Sequence, residues 1–310
     1  MSILFMFPGQ GAQHPEMLRR LPDSGSVRLT LEEASDHLGI ALSSLDSEEA
    51  LQSTRAVQLC LLIAGVASAR LLCDAGCTPT MALGLSIGAY PAAVISGWMR
   101  FQDALQLVSL RGRLMEEAYP SGFGMSAILG LSLTQVELLV SELTTEKAPL
   151  FVANINSPEQ IAVAGHERAL DKLATVAISK YGARKVTRIA ISVPSHCVLL
   201  QPQANVLAQA FEGINLLSGT AIYISSSSAR ALFRPPAICD DLANNMARRV
   251  HWHDAVTHAQ ERGAKIAIET YPGTTLTQLS RSVFADCGDA VSQSQTTLDT
   301  LVYLCSRYET

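Results

Sequence analysis

Gly84-Leu85-Ser86-Ile87-Gly88 sets a serine between two glycines in the G-x-S-x-G pattern of a nucleophile elbow. In such an elbow a sharp strand-to-helix turn pushes the hydroxyl out of the fold. The helix that follows aims its N-terminal amides and positive dipole end at a developing oxyanion. By composition alone about 0.1 such matches arise in a chain of this length, so an ordinary glycine turn is the competing reading. Ile87 N–H is the first oxyanion donor to name. Pro8-Gly9-Gln10-Gly11, at the end of an apolar run, could supply Gln10 N–H as the second, and alone it is also simply a turn.

An elbow serine needs a base, and seven histidines compete: His14, His37, His166, His196, His251, His253 and His258. His37, His253 and His258 sit in polar helical stretches and read as solvated. His166 sits where it would cap a strand-to-helix turn. His14 follows the glycine-rich loop and His251 adjoins Trp252, so position alone dismisses neither. His196, in Val193-Pro194-Ser195-His196-Cys197, lies in a turn where the chain crosses between two structural units, and substrate clefts form at such junctions. Its imidazole could take a serine proton and return it to a leaving thiol. Arg111 or Arg113 could hold a free carboxylate by paired hydrogen bonds, or be an ordinary solvated helix arginine.

The elements that must position these residues follow from hydrophobic patterning. Ile3 to Phe7 reads as a buried strand, Glu48 to Leu72 as an apolar-faced helix, Met81 to Leu83 as a second buried strand, and Ala89 to Ile95 as the start of a helix. A helix over Phe101 to Glu117 precedes the break at Pro120-Ser121-Gly122. From Met125 to Ile191 the order is strand (125–129), helix (133–143), strand (150–154), strand (160–164), helix (167–181) and strand (185–191), the ferredoxin-like βαββαβ unit. The remainder alternates helix and strand: helices near 200–212, 237–246 and 252–262, strands near 222–225 and 265–269, and a further helix after Tyr271-Pro272-Gly273. The fold class is α/β, with a large α/β-hydrolase-like domain over 1–123 and 193–310 and a small ferredoxin-like domain over 124–192.

Composition narrows the function. With 28 acidic against 23 basic residues, a net charge of −5 and 16% charged residues, a nucleic-acid surface is excluded. The uncharged stretch from Thr78 to Met99 is long enough to span a bilayer, but its glycines, prolines and serines suit a core strand, turn and helix, so no membrane association is expected. The opening lacks a basic n-region and a cleavage site, which points to a cytoplasmic protein. Seven cysteines form no CxxC pair, and nothing near Cys73 and Cys77 completes a zinc site, so reduced thiols and no metal are expected.

Phe7-Pro8-Gly9-Gln10-Gly11-Ala12-Gln13, the elbow, Leu110-Arg111-Gly112 with Met115, Asn156-Ser157-Pro158, Ala164-Gly165 and Val193-Pro194-Ser195-His196-Cys197 together resemble the malonyl-CoA:acyl carrier protein transacylases, through nearly the whole chain. The resemblance implies an acyl-enzyme on Ser86, His196 as base, Arg111 on the malonyl carboxylate, and an oxyanion hole from Gln10 and Ile87. A backbone carbonyl orients the histidine in that family, which maps to Arg248 when aligned on Val250 and Trp252. No cofactor is implied. The partners are malonyl-CoA and an acyl carrier protein with a CoA-derived prosthetic group.

Two positions depart from the family's common Gly-His-Ser-x-Gly-Glu, namely Leu85 and Ala89. That elbow, with the Pro8-to-Leu18 opening, looks most like the epsilon subunit of malonate decarboxylase, which would add other malonate decarboxylase subunits as partners. A malonyltransferase of fatty-acid synthesis, a serine thioesterase or hydrolase, and a non-catalytic scaffold subunit remain the alternatives.

Overall fold

The computed structural model describes residues 2–308; Met1, Glu309 and Thr310, at the ends of the expected large-domain segments, lie outside the described residues. In chain order the strands are β1 (Ser2–Phe7), β2 (Met81–Gly84), β3 (Phe123–Leu129), β4 (Leu150–Ser157), β5 (Gln160–His166), β6 (Lys185–Ile189), β7 (Ile222–Ser225), β8 (Arg230–Leu232), β9 (Val250–His251), β10 (Ala264–Glu269) and β11 (Asp289–Ser292). The helices are α1 (Gly25–Leu38), α2 (Thr54–Asp74), α3 (Ala89–Ile95), α4 (Phe101–Ala118), α5 (Leu133–Leu143), α6 (Glu167–Ser179), α7 (Gln201–Ala210), α8 (Pro235–Asn244), α9 (Trp252–Glu261), α10 (Thr275–Phe284) and α11 (Leu298–Arg307).

The larger sheet has the order β11-β10-β1-β2-β7-β8. All its pairs are parallel except the β7–β8 edge. β1 is central, and both its faces must be covered, which is why it is apolar throughout. The two-residue period divides it cleanly: Ile3, Phe5 and Phe7 join the core of α2, α3 and α4, while Leu4 and Met6 pack with Trp252, Val256 and Phe284 of α9 and α10. The fold is mixed α/β, as the sequence implied.

The second sheet runs β6-β3-β5-β4-β9. Its first four strands and α5 and α6 follow the ferredoxin-like order, with antiparallel pairing throughout. One face carries the helices, with Leu139 of α5 and Leu170 and Leu173 of α6 packed over Ile128 and Val163. On the other, Met125, Ala153, Ala162 and Ala164 cluster with Cys197, the residue after His196. The fifth strand, β9, comes from far along the chain and pairs parallel with β4, Asn154 opposite Val250 and Ile155 opposite His251.

The largest shift of a boundary from the sequence reading is at the start of α2. The helix expected from Glu48 begins at Thr54, because Ser53 adopts an extended backbone and its side chain takes the Ala56 N–H as N-cap. Among the described residues this helix is the one long and apolar enough to cross a membrane, and it is 89% buried within the fold. The uncharged Thr78-to-Met99 stretch forms β2, a 3₁₀ turn at Ser86–Gly88 and α3. The helices α1 and α11 and the short strands β8, β9 and β11 carry patterns too brief or too weakly apolar to have been read.

Candidate active site

β1 and β2 end side by side, with Phe7 opposite Gly84, and the chain turns sharply after each. Ser86 has φ +57°, in the left-handed region that costs a non-glycine residue about 1–2 kcal/mol. The surrounding backbone holds it there. A Cβ on Gly84 would overlap the backbone of Gly88, and one on Gly88 would overlap the Phe7 carbonyl, so both glycines are required by the tight return of the turn. A Cβ on Gly9 would come within 2.8 Å of Leu85 O, so the Pro8–Gly11 loop lies directly on the elbow. Within the elbow, Leu85 lines the cleft and Ala89 is buried.

Arg111 projects from α4 and is 0% exposed, whereas Arg113 is exposed. Gly112 makes this possible, since a Cβ there would sit 2.5 Å from Arg55 Cα of α2. The close approach of α4 to α2 brings Gln58 to the guanidinium. Arg111 Nη1 donates to Gln58 Oε1 at 2.7 Å, and Nη2 donates to Asn245 Oδ1 at 3.1 Å and to Ser86 Oγ at 3.3 Å. Arg111 Nε is buried without a partner, and no carboxylate among the described residues pairs with the cation. Burial lowers its pKa to about 10, so it remains charged at neutral pH.

His196 has φ +63°, and its N–H donates to Met246 O at 2.7 Å. Its ring is nearly fully buried. Nδ1 lies 2.8 Å from Asn245 O and 3.2 Å from Arg248 O. Carbonyl oxygens only accept, so Nδ1 carries the proton and Nε2 keeps its lone pair. Burial, reinforced by the Arg111 charge and opposed by the two carbonyl bonds, lowers the pKa to about 4 and holds the ring neutral. The Arg248 carbonyl expected from the alignment is therefore in contact, but Asn245 supplies the shorter bond. The Arg248 side chain turns away to Asp240, at 2.6 Å.

Gln10, Ser86 and His196 line one cavity of about 250 Å³, faced by Met125, Asn154 and Gln160 of the smaller sheet. No hydrogen bond joins the Ser86 and His196 side chains; Ser86 Oγ is instead held by Arg111. Ile87 is buried at the start of the post-elbow helical run. A wider surface cavity of about 540 Å³, between α1, the Glu16–Arg19 turn and Leu42–Ser47, contains no serine–histidine pair.

The other histidines separate as follows. His166 N-caps α6, accepting from Arg168 N–H at 3.2 Å, as its position suggested. His14 Nε2 meets Tyr271 OH at 3.0 Å, and His251 faces Asp254 at 3.6 Å. His37 is exposed, but His253 and His258 are not the solvated side chains expected. His253 Nδ1 is buried, and His258 Nε2 accepts from Ala231 N–H of β8 at 3.3 Å.

The acyl transferase domain family matches residues 4–298 of the chain. The malonyl CoA-acyl carrier protein transacylase of Escherichia coli (strain K12) is 35% identical over 285 residues, covering 90% of this chain and 92% of that one. The chain belongs to the malonyl CoA-acyl carrier protein transacylase family. It is an acyltransferase. Among solved structures, this transacylase fold superposes on the acyl-carrier-protein S-malonyltransferase of Burkholderia pseudomallei 1710b with a TM-score of 0.91 at 32% identity, covering 98% of this chain and 100% of that one. It matches equally a malonyl-transacylase solved in complex with its type II PKS acyl-carrier protein, with a TM-score of 0.90 at 32% identity and 98% and 99% coverage.

Asn245 and Gln58, both bonded to Arg111, are the residues of the candidate site that sequence reasoning passed over. The one signal for Gln58 was a lone amide inside the apolar run Val57-Gln58-Leu59-Cys60-Leu61. Asn245 carried none, since a polar residue just after a helix is ordinary.

Proposed function

We propose that this acyltransferase carries a malonyl group on Ser86 between the thiol of coenzyme A and the thiol of an acyl carrier protein. The observation that carries this reading is the buried, unpaired Arg111 cation in contact with the Ser86 hydroxyl. A carboxylate one methylene away from an acyl carbonyl on Ser86 falls within reach of the guanidinium, and acetyl has none to offer.

Ser86 Oγ attacks the thioester carbonyl as its proton passes to His196 Nε2. The oxyanion is held by the Gln10 and Ile87 N–H groups. The C–S bond breaks, and the CoA sulfur leaves with the proton from His196. The carrier thiol then repeats the steps in reverse order, giving malonyl-carrier and free Ser86. The small sheet over the cleft shields the acyl-serine from water, which favours transfer over hydrolysis.

Incubation with malonyl-CoA and intact-mass analysis tests this. A malonyl adduct is expected on the wild-type chain and is lost in Ser86→Ala; an unmodified wild-type chain would support a non-catalytic scaffold. Rapid release of free malonate without carrier would support a hydrolase.

Leu85, Ala89 and the Pro8-to-Leu18 opening support a finer reading, in which the carrier is the dedicated carrier protein of a malonate decarboxylase and the protein acts in the cytoplasm beside its other subunits. Transfer rates to that carrier and to a fatty-acid carrier separate the two. Preference for the fatty-acid carrier would place the enzyme in fatty-acid synthesis instead.

A further inference from the structure

Glu269 ends β10, opposite Met6 of the neighbouring β1, and is 0% exposed. A carboxyl in such a place is ordinarily paired with a cation, because an uncompensated charge in a low-dielectric interior is costly. Here its partner is backbone. Oε2 accepts from the Thr277 N–H in the first turn of α10 at 2.7 Å, while Oε1 is buried without a hydrogen-bond partner. Burial raises the pKa of this carboxyl, and the N–H groups at the start of α10 oppose the shift.

The other side of the carboxyl faces Gly273. A Cβ there would overlap Oε1 and come within 2.8 Å of Pro8 Cβ, so Gly273 is held between Glu269 and the first residue of the Pro8–Gly11 loop. The turn that carries Gly273 is tied to the sheet: Thr270 N–H donates to Met6 O at 2.9 Å, Gly273 N–H to Thr270 O at 3.1 Å, and Ser292 Oγ to Gly273 O at 2.6 Å. Tyr271 of the same turn meets His14 through its hydroxyl. The stretch bearing Gln10 is thus seated on the elbow through Gly9 and on the Thr270–Thr274 turn through Pro8 and His14. Thr275, just after that turn, joins Gly9, Gln10, Ser86 and His196 in lining the cavity.

We propose that Glu269 is a positioning residue for the oxyanion loop: its carboxyl anchors the first turn of α10 and backs Gly273, and the turn so fixed holds Pro8 and with it the Gln10 N–H. The inference rests on the malonyl-transfer reading above, in which Gln10 is an oxyanion donor. Such a donor acts only when it stands at hydrogen-bond distance from the oxygen of the transition state, so a small displacement of the loop lowers the rate without weakening substrate binding.

The test measures malonyl and acetyl transfer in the wild type and in Glu269→Gln, Glu269→Asp and Glu269→Met. Glutamine keeps an acceptor at the same reach, aspartate draws it back by one methylene, and methionine fills the volume without an acceptor. Glu269→Met is expected to lower kcat roughly 10- to 100-fold, short of the roughly 10²- to 10³-fold that deletion of an oxyanion donor costs, with KM for malonyl-CoA little changed. Glu269→Asp falls between it and the wild type, and Glu269→Gln stays near the wild type. The malonyl-to-acetyl ratio is expected to stay constant, since both donors develop the same oxyanion.

A purely structural role would lower the urea midpoint of Glu269→Met without separating it from Glu269→Gln in the kcat of the folded enzyme. Equal kcat in the three variants, a loss expressed in KM alone, or a changed malonyl-to-acetyl ratio overturns the inference. Where Glu269→Met does not fold, Glu269→Asp decides, and a kcat there equal to that of Glu269→Gln overturns it. A wild-type enzyme that forms no Ser86-linked malonyl adduct would refute the functional reading itself. Adduct formation with a wild-type kcat in Glu269→Asp and Glu269→Met would refute this inference alone.

Discussion

Asp241 and Arg111 are both buried ionisable side chains whose residues bond Asn245, one through its backbone and one through its side chain, and the fold treats them in opposite ways. Asp241, on α8, accepts from Tyr223 OH and from Ser225 Oγ, each at 2.7 Å. Ser225 Oγ in turn accepts from the N–H groups of Ser227 and Ser228, so the cluster closes on itself. Burial raises the Asp241 pKa while the hydroxyl bonds oppose the shift. Arg111 has an unpartnered Nε, contacts to neutral oxygens alone, and a serine hydroxyl beside it. The closed cluster pins α8 to β7. The open one leaves an unmet demand for an anion, and a native interior retains such a demand where a ligand will meet it.

The largest expected effect that would break this contrast is at the nucleophile. Ser86→Ala should lower malonyl transfer by on the order of 10⁴-fold or more, as removal of an attacking serine does in other acyl-transfer enzymes. Residual transfer near the wild-type rate would show that the open cluster is not the reacting centre. Next comes Arg111→Ala, expected to lower the kcat/KM for malonyl-CoA by about 100-fold while acetyl transfer improves relative to it. An unchanged donor preference would remove the argument that the cation serves the substrate.

The closed cluster predicts a different outcome. In Asp241→Asn one hydroxyl donor loses its acceptor, so stability should fall by about 1–3 kcal/mol, with the malonyl-to-acetyl ratio of the folded enzyme retained. Denaturant titration and donor competition on the same sample check both parts. A changed ratio would mean that the two clusters are not separable.

The smallest effect concerns pH. His196 is held neutral, with its pKa lowered to about 4 from the ordinary 6.5. Its contribution to stability is therefore fully present above pH 6.5 and is lost as pH falls through the folded value, because the unfolded chain takes up the proton first. The urea midpoint of the wild type should decline across that window, and the decline should be shallower in His196→Gln. The acid limb of kcat/KM should likewise lie below pH 6.5; a limb at or above it would show that the ring is not shielded as described.

Local signals in the sequence carried much of the fold. The helix at Leu133–Leu143 was legible to the residue, since Ser132 and Gln135 form a reciprocal capping box ahead of an apolar run. The elbow was legible because two glycines are needed where Gly84 and Gly88 meet neighbouring backbone. The amide cradle was not, because residues 58, 111 and 245 converge from three elements, and Gln and Asn are too common to announce a role. The shorter bond to His196 was missed for a related reason: a backbone carbonyl leaves no trace in residue identity, and alignment on Trp252 could indicate only Arg248. The strand β9 spans two residues, below what any alternating pattern can reveal.

That brief strand has a mechanical consequence. The small sheet is joined to the rest of the chain by two covalent crossings, around residues 119–122 and 190–193, and two such crossings alone would make a hinge. Pairing of Val250 and His251 with β4 adds a third attachment, reinforced by Arg249, which bonds Glu137 of α5 at 3.0 Å and Val152 O at 3.3 Å, and by His251 N–H, which donates to Ser226 O at 2.7 Å. A third attachment of this kind restricts the hinge motion that the two crossings alone would allow. The stretch from Asn245 to His251 thus both ties the small sheet to the large one and carries the two carbonyls that aim His196.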